Sequence, residues 1–280
     1  RGDQENWEAL ASDLGYAHTS FGGSGPFSGG LRMGYYSRFP IVSSTPITSP
    51  QNCATVAVKE LTRRPLRIVV DVPGARNPLV LWSMHHKASS GNDDRFRRAI
   101  EARRITDDIA SYLKANPPHQ EFVVLGDMND DVGDFQTAQY NSPPSGLPGS
   151  YQLGCDISFP VPYAMFPEDQ YEAAGQGMEM LAAFHEDTTI EGTYISNGRR
   201  LDYIFVSEEI WTSPLGLPAA EVYNSEQDDG VGGLVKADPQ LPGSTSSIAS
   251  DHYALFAEFH MVDAVPVSTA LTIVSADSQG

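Results

Sequence analysis

The sequence predicts an α/β protein in which two β-sheets pack together with helices outside them. Strand-like segments outnumber helical ones, and the helical segments fall between clusters of strands rather than in one block. Of the 280 residues, 40% are hydrophobic, enough for the core of one large domain or two small ones.

Gln4 to Leu14 is expected to be a short helix: Trp7, Leu10, Ala11 and Leu14 recur at three- and four-residue spacing, and Gly15 can stop it. Phe21 to Gly30 holds five glycines and reads as a loop. Leu31 to Tyr36 reads as a strand ending in the turn Ser37-Arg38-Phe39-Pro40-Ile41, and Ala54 to Leu61 as a half-buried strand. Leu66 to Val72 and Leu79 to Met84 are two further strands joined around Pro73-Gly74.

Asp93 to Lys114 is the longest helical candidate, capped by Asn92 or Asp93 and ended by Asn116-Pro117-Pro118. Phe96, Ala99, Ile100, Ile109 and Leu113 share a face, with Arg95 and Arg103 near the same side. Those arginines either lay their stems along the core edge with their heads in water, or support an anionic site. The apolar run Phe122 to Leu125 is a buried strand, after which Gly126 is expected to turn the chain. Asn141 to Gly154 reads as a loop and Tyr171 to Phe184 as a second helix. Thr193 to Ser196 and Arg199 to Val206 flank Asn197-Gly198, a hairpin signal. Asn224 to Ser250 is a long acidic loop, Tyr253 to Met261 a final strand, and residues 262–280 a linker or the start of another module.

The net charge of −18 and the absence of a Lys/Arg-rich run disfavour nucleic-acid binding through bulk charge, though a local basic groove stays open. No apolar run approaches the ~20 residues of a membrane span. The acidic excess is compatible with a salty or extracellular setting. The chain begins at Arg1 rather than Met, so the lack of a leader sequence does not bear on export. Cys53 and Cys155 fit no metal spacing; a disulfide and two separate buried thiols both remain open.

Four short stretches carry groups suited to acid–base or metal chemistry at strand edges. In Met84-His85-His86-Lys87, neighbouring residues face opposite ways, so one histidine at most joins a given site; His85 and Lys87 share a face and could hold a phosphate oxygen. In Gly126-Asp127-Met128-Asn129, a carboxylate and a carboxamide at spacing two point the same way on an extended chain and can hold a cation, a phosphate or a water. In Arg200-Leu201-Asp202-Tyr203, Asp202 interrupts an apolar strand and needs a partner: a histidine, a cation, or a bridge to Arg199 or Arg200. In Ser250-Asp251-His252-Tyr253, His252 precedes a strand, and oriented by a distant aspartate it would be a general base for water. Each stretch taken alone also reads as an ordinary strand end or polar turn.

As a set, with the Ser37-Arg38-Phe39-Pro40 segment, these motifs resemble the endonuclease/exonuclease/phosphatase superfamily, which includes pancreatic deoxyribonuclease, apurinic endonucleases, bacterial sphingomyelinases and inositol phosphate phosphatases. The resemblance covers about Tyr16 to Met261. It implies a four-layered α/β/β/α sandwich with two central mixed sheets. It implies that His252 activates water, oriented by Asp202, and that Asp127 and Asn129 position the nucleophile and phosphate. It assigns a metal ion to Asp127, Asn129 and Asp251, and to His85 the stabilising of the phosphate or protonation of the leaving oxygen. The ion would be Mg²⁺, with Mn²⁺ or Ca²⁺ as substitutes.

The implied activity is hydrolysis of phosphodiester bonds by in-line attack of water, with nucleic acid as the first expected substrate. A phospholipid or inositol phosphate is the alternative, and a non-catalytic binding module the alternative of another class. A monomer and a secreted protein are expected. Proteins of this family begin with a strand carrying an asparagine and a second ending in a metal-binding glutamate, both upstream of the segment matching Trp7 to Tyr16. Glu5 has no apolar strand before it and reads as a cap or surface residue, so the domain, residues 1–261, is expected to lack its N-terminal strands.

Overall fold

The structure, a computed structural model, describes residues 4–23, 31–50, 59–130, 139–149, 151–162, 177–186, 188–234, 240–261 and 270–275. In chain order its elements are α1 (Gln4–Asp13), β1 (His18–Phe21), β2 (Gly34–Ser37), β3 (Ile41–Pro46), β4 (Leu66–Val70), β5 (Leu79–His85), α2 (Asn92–Ala115) and β6 (Phe122–Asp127). There follow β7 (Gln139–Tyr140), β8 (Val161–Pro162), β9 (Met178–Met180), β10 (Ala183–His185), β11 (Asp202–Ser207), α3 (Glu208–Trp211), β12 (Ala219–Tyr223), α4 (Thr245–Ala249), β13 (Ala254–His260) and β14 (Ala270–Ser275).

Two mixed sheets form the centre of an α/β fold, as the order of segments predicts. The larger runs β3-β4-β5-β6-β11-β9, with β5 and β6 parallel and its other neighbours antiparallel. The smaller runs β10-β12-β13-β14. Period-two alternation decides which side chains go where. From the larger sheet, Val80, Trp82, Phe122, Val124, Tyr203 and Phe205 face α2, meeting Ala102, Ile105, Ile109 and Leu113. The intervening residues, among them Leu79, Leu81, Val123, Leu125, Ile204 and Val206, face the smaller sheet and meet Val222, Leu255, Ala257 and Phe259. α2 buries a second stripe, Phe96, Ala99 and Ile100, under Tyr151 and Val161. Among the described residues, no helix is long and apolar enough to cross a membrane.

Several expectations are corrected. Met178 to His185 forms β9 and β10, not part of a helix: Met178, Ala183 and His185 are buried, while Glu179 and Phe184 are not, a strand alternation satisfied by β11 and β12. Residues 171–176 of the expected helix lie outside the described residues. β3 was not expected, because its Val-Ser-Ser-Thr core is polar and mostly exposed; it is an edge strand held by β4. The strand expected over Leu31 to Tyr36 occupies Gly34–Ser37 and pairs with β1. Of the strand expected over Ala54 to Leu61, residues 54–58 lie outside the described residues, and the rest is not strand.

The hairpin at Asn197-Gly198 is a turn, with Gly198 in the left-handed region and its N–H donated to Tyr194 O, but β11 begins only at Asp202. α2 starts after Gly91, without a side-chain cap from Asn92 or Asp93. The stretch beyond Met261 is not only a linker, since β14 extends the smaller sheet along β13. Cys155 is disulfide-bonded, and Cys53 lies outside the described residues.

Candidate active site

The same alternation that fills the core builds the site. His85, Asp127 and Asp202 continue the series of residues that face the gap between the sheets, Asp127 and Asp202 one step beyond its last apolar members and His85 one step beyond Ser83. Register then lines them up: His85 is the parallel partner of Asp127, and Asp202 its antiparallel partner on the other side. All three are buried, at 6%, 4% and 4% exposure. Gly126 does not turn the chain as expected. β6 runs on through Asp127, and Gly126 (φ +137°) is needed because a Cβ there would collide with the carbonyl oxygen of Met84.

The turn comes two residues later. Asn129 adopts φ +52°, a left-handed conformation that asparagine tolerates better than most. Its closeness to Asp127 is therefore made by this turn, not by a shared strand face. Its backbone N–H donates to Asp127 Oδ1 at 2.7 Å, and its amide Nδ2 donates to Asp127 Oδ2 at 2.8 Å and to His86 O at 3.1 Å. With both amide protons committed, Asn129 has its Oδ1 left to offer a cation or a water.

His252 enters from the loop before β13. Its Nδ1 lies 2.7 Å from Asp202 Oδ2, so Nδ1–H donates, and in the neutral imidazole Nε2 carries the lone pair. Tyr194 bridges to His252, Ile195 N donates to Asp251 O at 2.9 Å, and Tyr253 N to Thr193 O at 2.8 Å. Thr193, fully buried, accepts at its Oγ1 from the backbone of both Leu201 and Asp202. One short segment thus fixes both members of the His252–Asp202 pair. Burial pulls the imidazole pKa down, but the hydrogen bond to Asp202 and the charges of Asp202, Asp127 and Asp251 outweigh it and push the pKa up to about 9. Arg199 and Arg200 are not the partners of Asp202: they lie against Asp130 and Glu191.

His85 Nε2 is 3.3 Å from Asp127 Oδ2. His86 faces the helix side, with Nε2 3.1 Å from Met84 Sδ and Nδ1 3.8 Å from Glu101; burial first, then Arg98, pushes its pKa down to about 3. The expected His85–Lys87 cationic spot does not form, because Lys87 Nζ pairs with Asp94 at 2.9 Å.

Sequence reasoning missed the side chains that hold these loops. Arg98, 2% exposed, donates to Asp130 Oδ2 from Nε and Nη2 (3.0 and 2.6 Å) and through Nη1 to the carbonyls of Lys87 and Ser89. One turn on, Glu101 accepts from Thr62 N (2.6 Å) and Lys87 N (2.7 Å). Arg63 Nη1 donates to His86 O at 2.7 Å. The signal available in the sequence was a pair of charges, Arg98 and Glu101, interleaved with the apolar face of a long helix. The two arginines that the helix pattern singles out differ: Arg95 lines the cleft, whereas Arg103 pairs with Asp107.

These groups open on a cleft of about 370 Å³ lined by His85, Asp127, Asn129, Asp251 and His252. Asp127, Asp202 and His252 each bring a ligand atom within 4.8 Å of the others. Two carboxylates directly opposite one another need positive charge between them, so the donor set fits a hard divalent cation. Asp251, exposed on the rim, and Asn129 Oδ1 are further oxygen donors beside it.

The family model described as "Endonuclease/Exonuclease/phosphatase family" matches residues 1–252, and the chain belongs to that family. Its members are generally divalent-metal-dependent enzymes acting on phosphoesters. Among solved structures, the chain is similar to truncated TDP2 from Caenorhabditis elegans (13% identity, 92% of this chain and 81% of that one, TM-score 0.48). It is also similar to the catalytic domain of human nocturnin (14%, 74% and 66%, 0.42) and to an endonuclease/exonuclease/phosphatase protein from Beutenbergia cavernae (15%, 100% and 80%, 0.49). The chain spans 62% of the longer C. elegans TDP2 chain. A comparison with curated protein sequences gives no match.

Proposed function

We propose that this protein hydrolyses phosphodiester bonds, with nucleic acid as substrate, by attack of a water that His252 deprotonates. The observation that carries the reading is the His252 Nδ1–Asp202 contact of 2.7 Å, set in one cluster with Asp127. Nδ1–H held by a buried carboxylate leaves Nε2 to take the proton from water. Asp202 then stabilises the imidazolium that forms. Asp127, Asp202 and Asn129, with Asp251 at the rim, would hold Mg²⁺, which supplies charge neutralisation at the phosphoryl oxygens. His85, beside Asp127, is placed to donate to a phosphate oxygen or the departing one. Arginines in the cleft wall draw an anionic substrate into a chain that is otherwise strongly acidic. The disulfide-bonded Cys155 and the charge of −18 support action outside the cell.

The test is nicking of plasmid and cleavage of short oligonucleotides with Mg²⁺, Mn²⁺ or Ca²⁺, alongside sphingomyelin and inositol phosphates. His252→Ala should lose at least ~100-fold in kcat, the lower range for a general base. Undiminished cleavage by that variant would remove the proposed mechanism, and preference for sphingomyelin over DNA would replace the nuclease reading with a lipid one.

A further inference from the structure

β11 enters the site with one side uncovered. On its inner side β6 pairs with it from Asp202 to Val206, but on its outer side β9 lies beside it only at Phe205, Val206 and Ser207. Among the described residues, no strand stands on that outer side at Asp202 to accept backbone N–H groups. A buried N–H without an acceptor is costly, so another group has to take the place of the strand. The Thr193 hydroxyl does so. Its Oγ1 accepts from Leu201 N at 2.9 Å and from Asp202 N at 3.1 Å, which engages both lone pairs of the oxygen.

The main chain of Thr193 is tied to the other half of the pair. Its carbonyl accepts from Tyr253 N, the residue after His252, at 2.8 Å, and its own N–H donates to Arg199 O at 3.0 Å. Gly192 lets the segment lie against the Asn197-Gly198 turn, since a Cβ there would collide with Gly198 O. Thr193 therefore grips the start of β11 with its side chain and the His252 loop with its backbone. Between those two holds lies the 2.7 Å contact of His252 Nδ1 with Asp202 Oδ2, made by side chains only 9% and 6% exposed. Thr193 is itself fully buried and does not line the cleft.

We propose that Thr193 is a positioning residue for the hydrolysis: by holding the backbone at the start of β11, its hydroxyl sets the Asp202 carboxylate at the distance and angle that orient His252. This rests on the phosphodiesterase reading above and deepens it. Thr193 touches neither substrate nor cation and moves no proton. Valine has the shape of threonine but no acceptor oxygen, whereas serine keeps the oxygen and loses the methyl. The rate depends on the oxygen at position 193 and not on the shape of the side chain.

The test has two independent readouts. With Mg²⁺ and a substrate that the wild type cleaves, Thr193→Val should lower kcat about tenfold or more, toward the ~100-fold that a 1 Å misplacement can cost, with KM held within about twofold. Thr193→Ser should bring kcat back to within about threefold of wild type. In EDTA and without substrate, the His252 Nδ1–H proton should give a far-downfield NMR resonance that His252→Ala removes. Thr193→Val should move that resonance upfield or lose it to exchange, and Thr193→Ser should keep it. Circular dichroism at the assay temperature shows which variants are folded, and Thr193→Ala takes the place of Thr193→Val if the latter is not. Wild-type kcat or an unmoved resonance in the folded variant without the oxygen would overturn the proposal, as would a loss that serine does not restore. Absence of the resonance from the wild type would remove the contact on which the proposal stands. If no phosphodiester is cleaved, the hydrolase reading fails and the resonance alone decides the positioning role: displaced without the oxygen and kept by serine supports it, unchanged overturns it.

Discussion

Asp202 lies directly across the β6–β11 pair from Asp127, carboxylate opposite carboxylate, in the buried mouth of the larger sheet. Like charges in that relation repel, and the fold tolerates them only with positive charge in between. His252 supplies one part, and a divalent cation would supply the other. Mg²⁺ at about 100 times its Kd should therefore stabilise the folded state by about 2.7 kcal/mol. Calorimetric melting with and without EDTA measures this. Asp127→Asn should largely abolish the Mg²⁺ response, and a response of full size in that variant would count against the cation site.

The charge on His252 makes stability depend on pH. Its folded pKa, about 9, exceeds the ordinary 6.5, so the folded state binds the proton more tightly than the unfolded one. The stabilisation is complete below about pH 6.5 and is lost as pH rises through about 9. In the metal-free protein an NMR titration of the imidazole should show a midpoint near 9, and Mg²⁺ should move it down. Cleavage should accordingly rise with pH, since only the neutral imidazole takes a proton. A His252 midpoint at or below 6.5 in EDTA would contradict the geometry.

His86 has the opposite sign. Held neutral in the folded state with a pKa of about 3, it binds a proton more readily once unfolded. It should destabilise the protein progressively as pH falls from 6.5 toward 3. Urea midpoints at pH 7 and 4.5 compared between wild type and His86→Gln measure this, and the variant should show the shallower decline.

Glu101 is expected to act at a distance from any substrate. Glu101→Ala leaves one buried backbone N–H, Thr62, and one half-buried, Lys87, without their acceptor, at about 1–3 kcal/mol for the buried one and less for the other. Denaturant midpoints should fall accordingly, and Glu101→Gln, which keeps an acceptor oxygen, should fall less. Arg98→Met should cost up to about 3–5 kcal/mol, because it takes the buried guanidinium from Asp130 and leaves it the more exposed Arg199 at 3.6 Å. A loss below ~1 kcal/mol in Arg98→Met would mean that Asp130 finds other partners.

The catalytic candidates were legible because polar residues at the end of an apolar alternating run have few reasons to be there. His85, Asp127 and Asp202 each sit at that point, and the structure aligns all three. What the sequence does not display is long-range pairing. β3 was invisible because an exposed edge strand carries no hydrophobic pattern. Met178 to His185 was misread because two three-residue strands are too short to separate period two from period 3.6. Arg98, Glu101 and Thr193 were passed over because their partners lie on other elements, and nothing local distinguishes a buried arginine from one in water.

The alternation that sends Leu79, Leu81, Val123, Leu125, Ile204 and Val206 inward toward the smaller sheet is the same one that turns His85, Asp127 and Asp202 in that direction. Deleting a single residue from the middle of β6 would therefore invert two things at once. Valines would trade sides with their neighbours, and the carboxylate would swing toward α2. A slip of one residue therefore cannot keep a sound interior while losing the carboxylate, so phosphoester cleavage by this chain would itself report that β6 has not slipped by one.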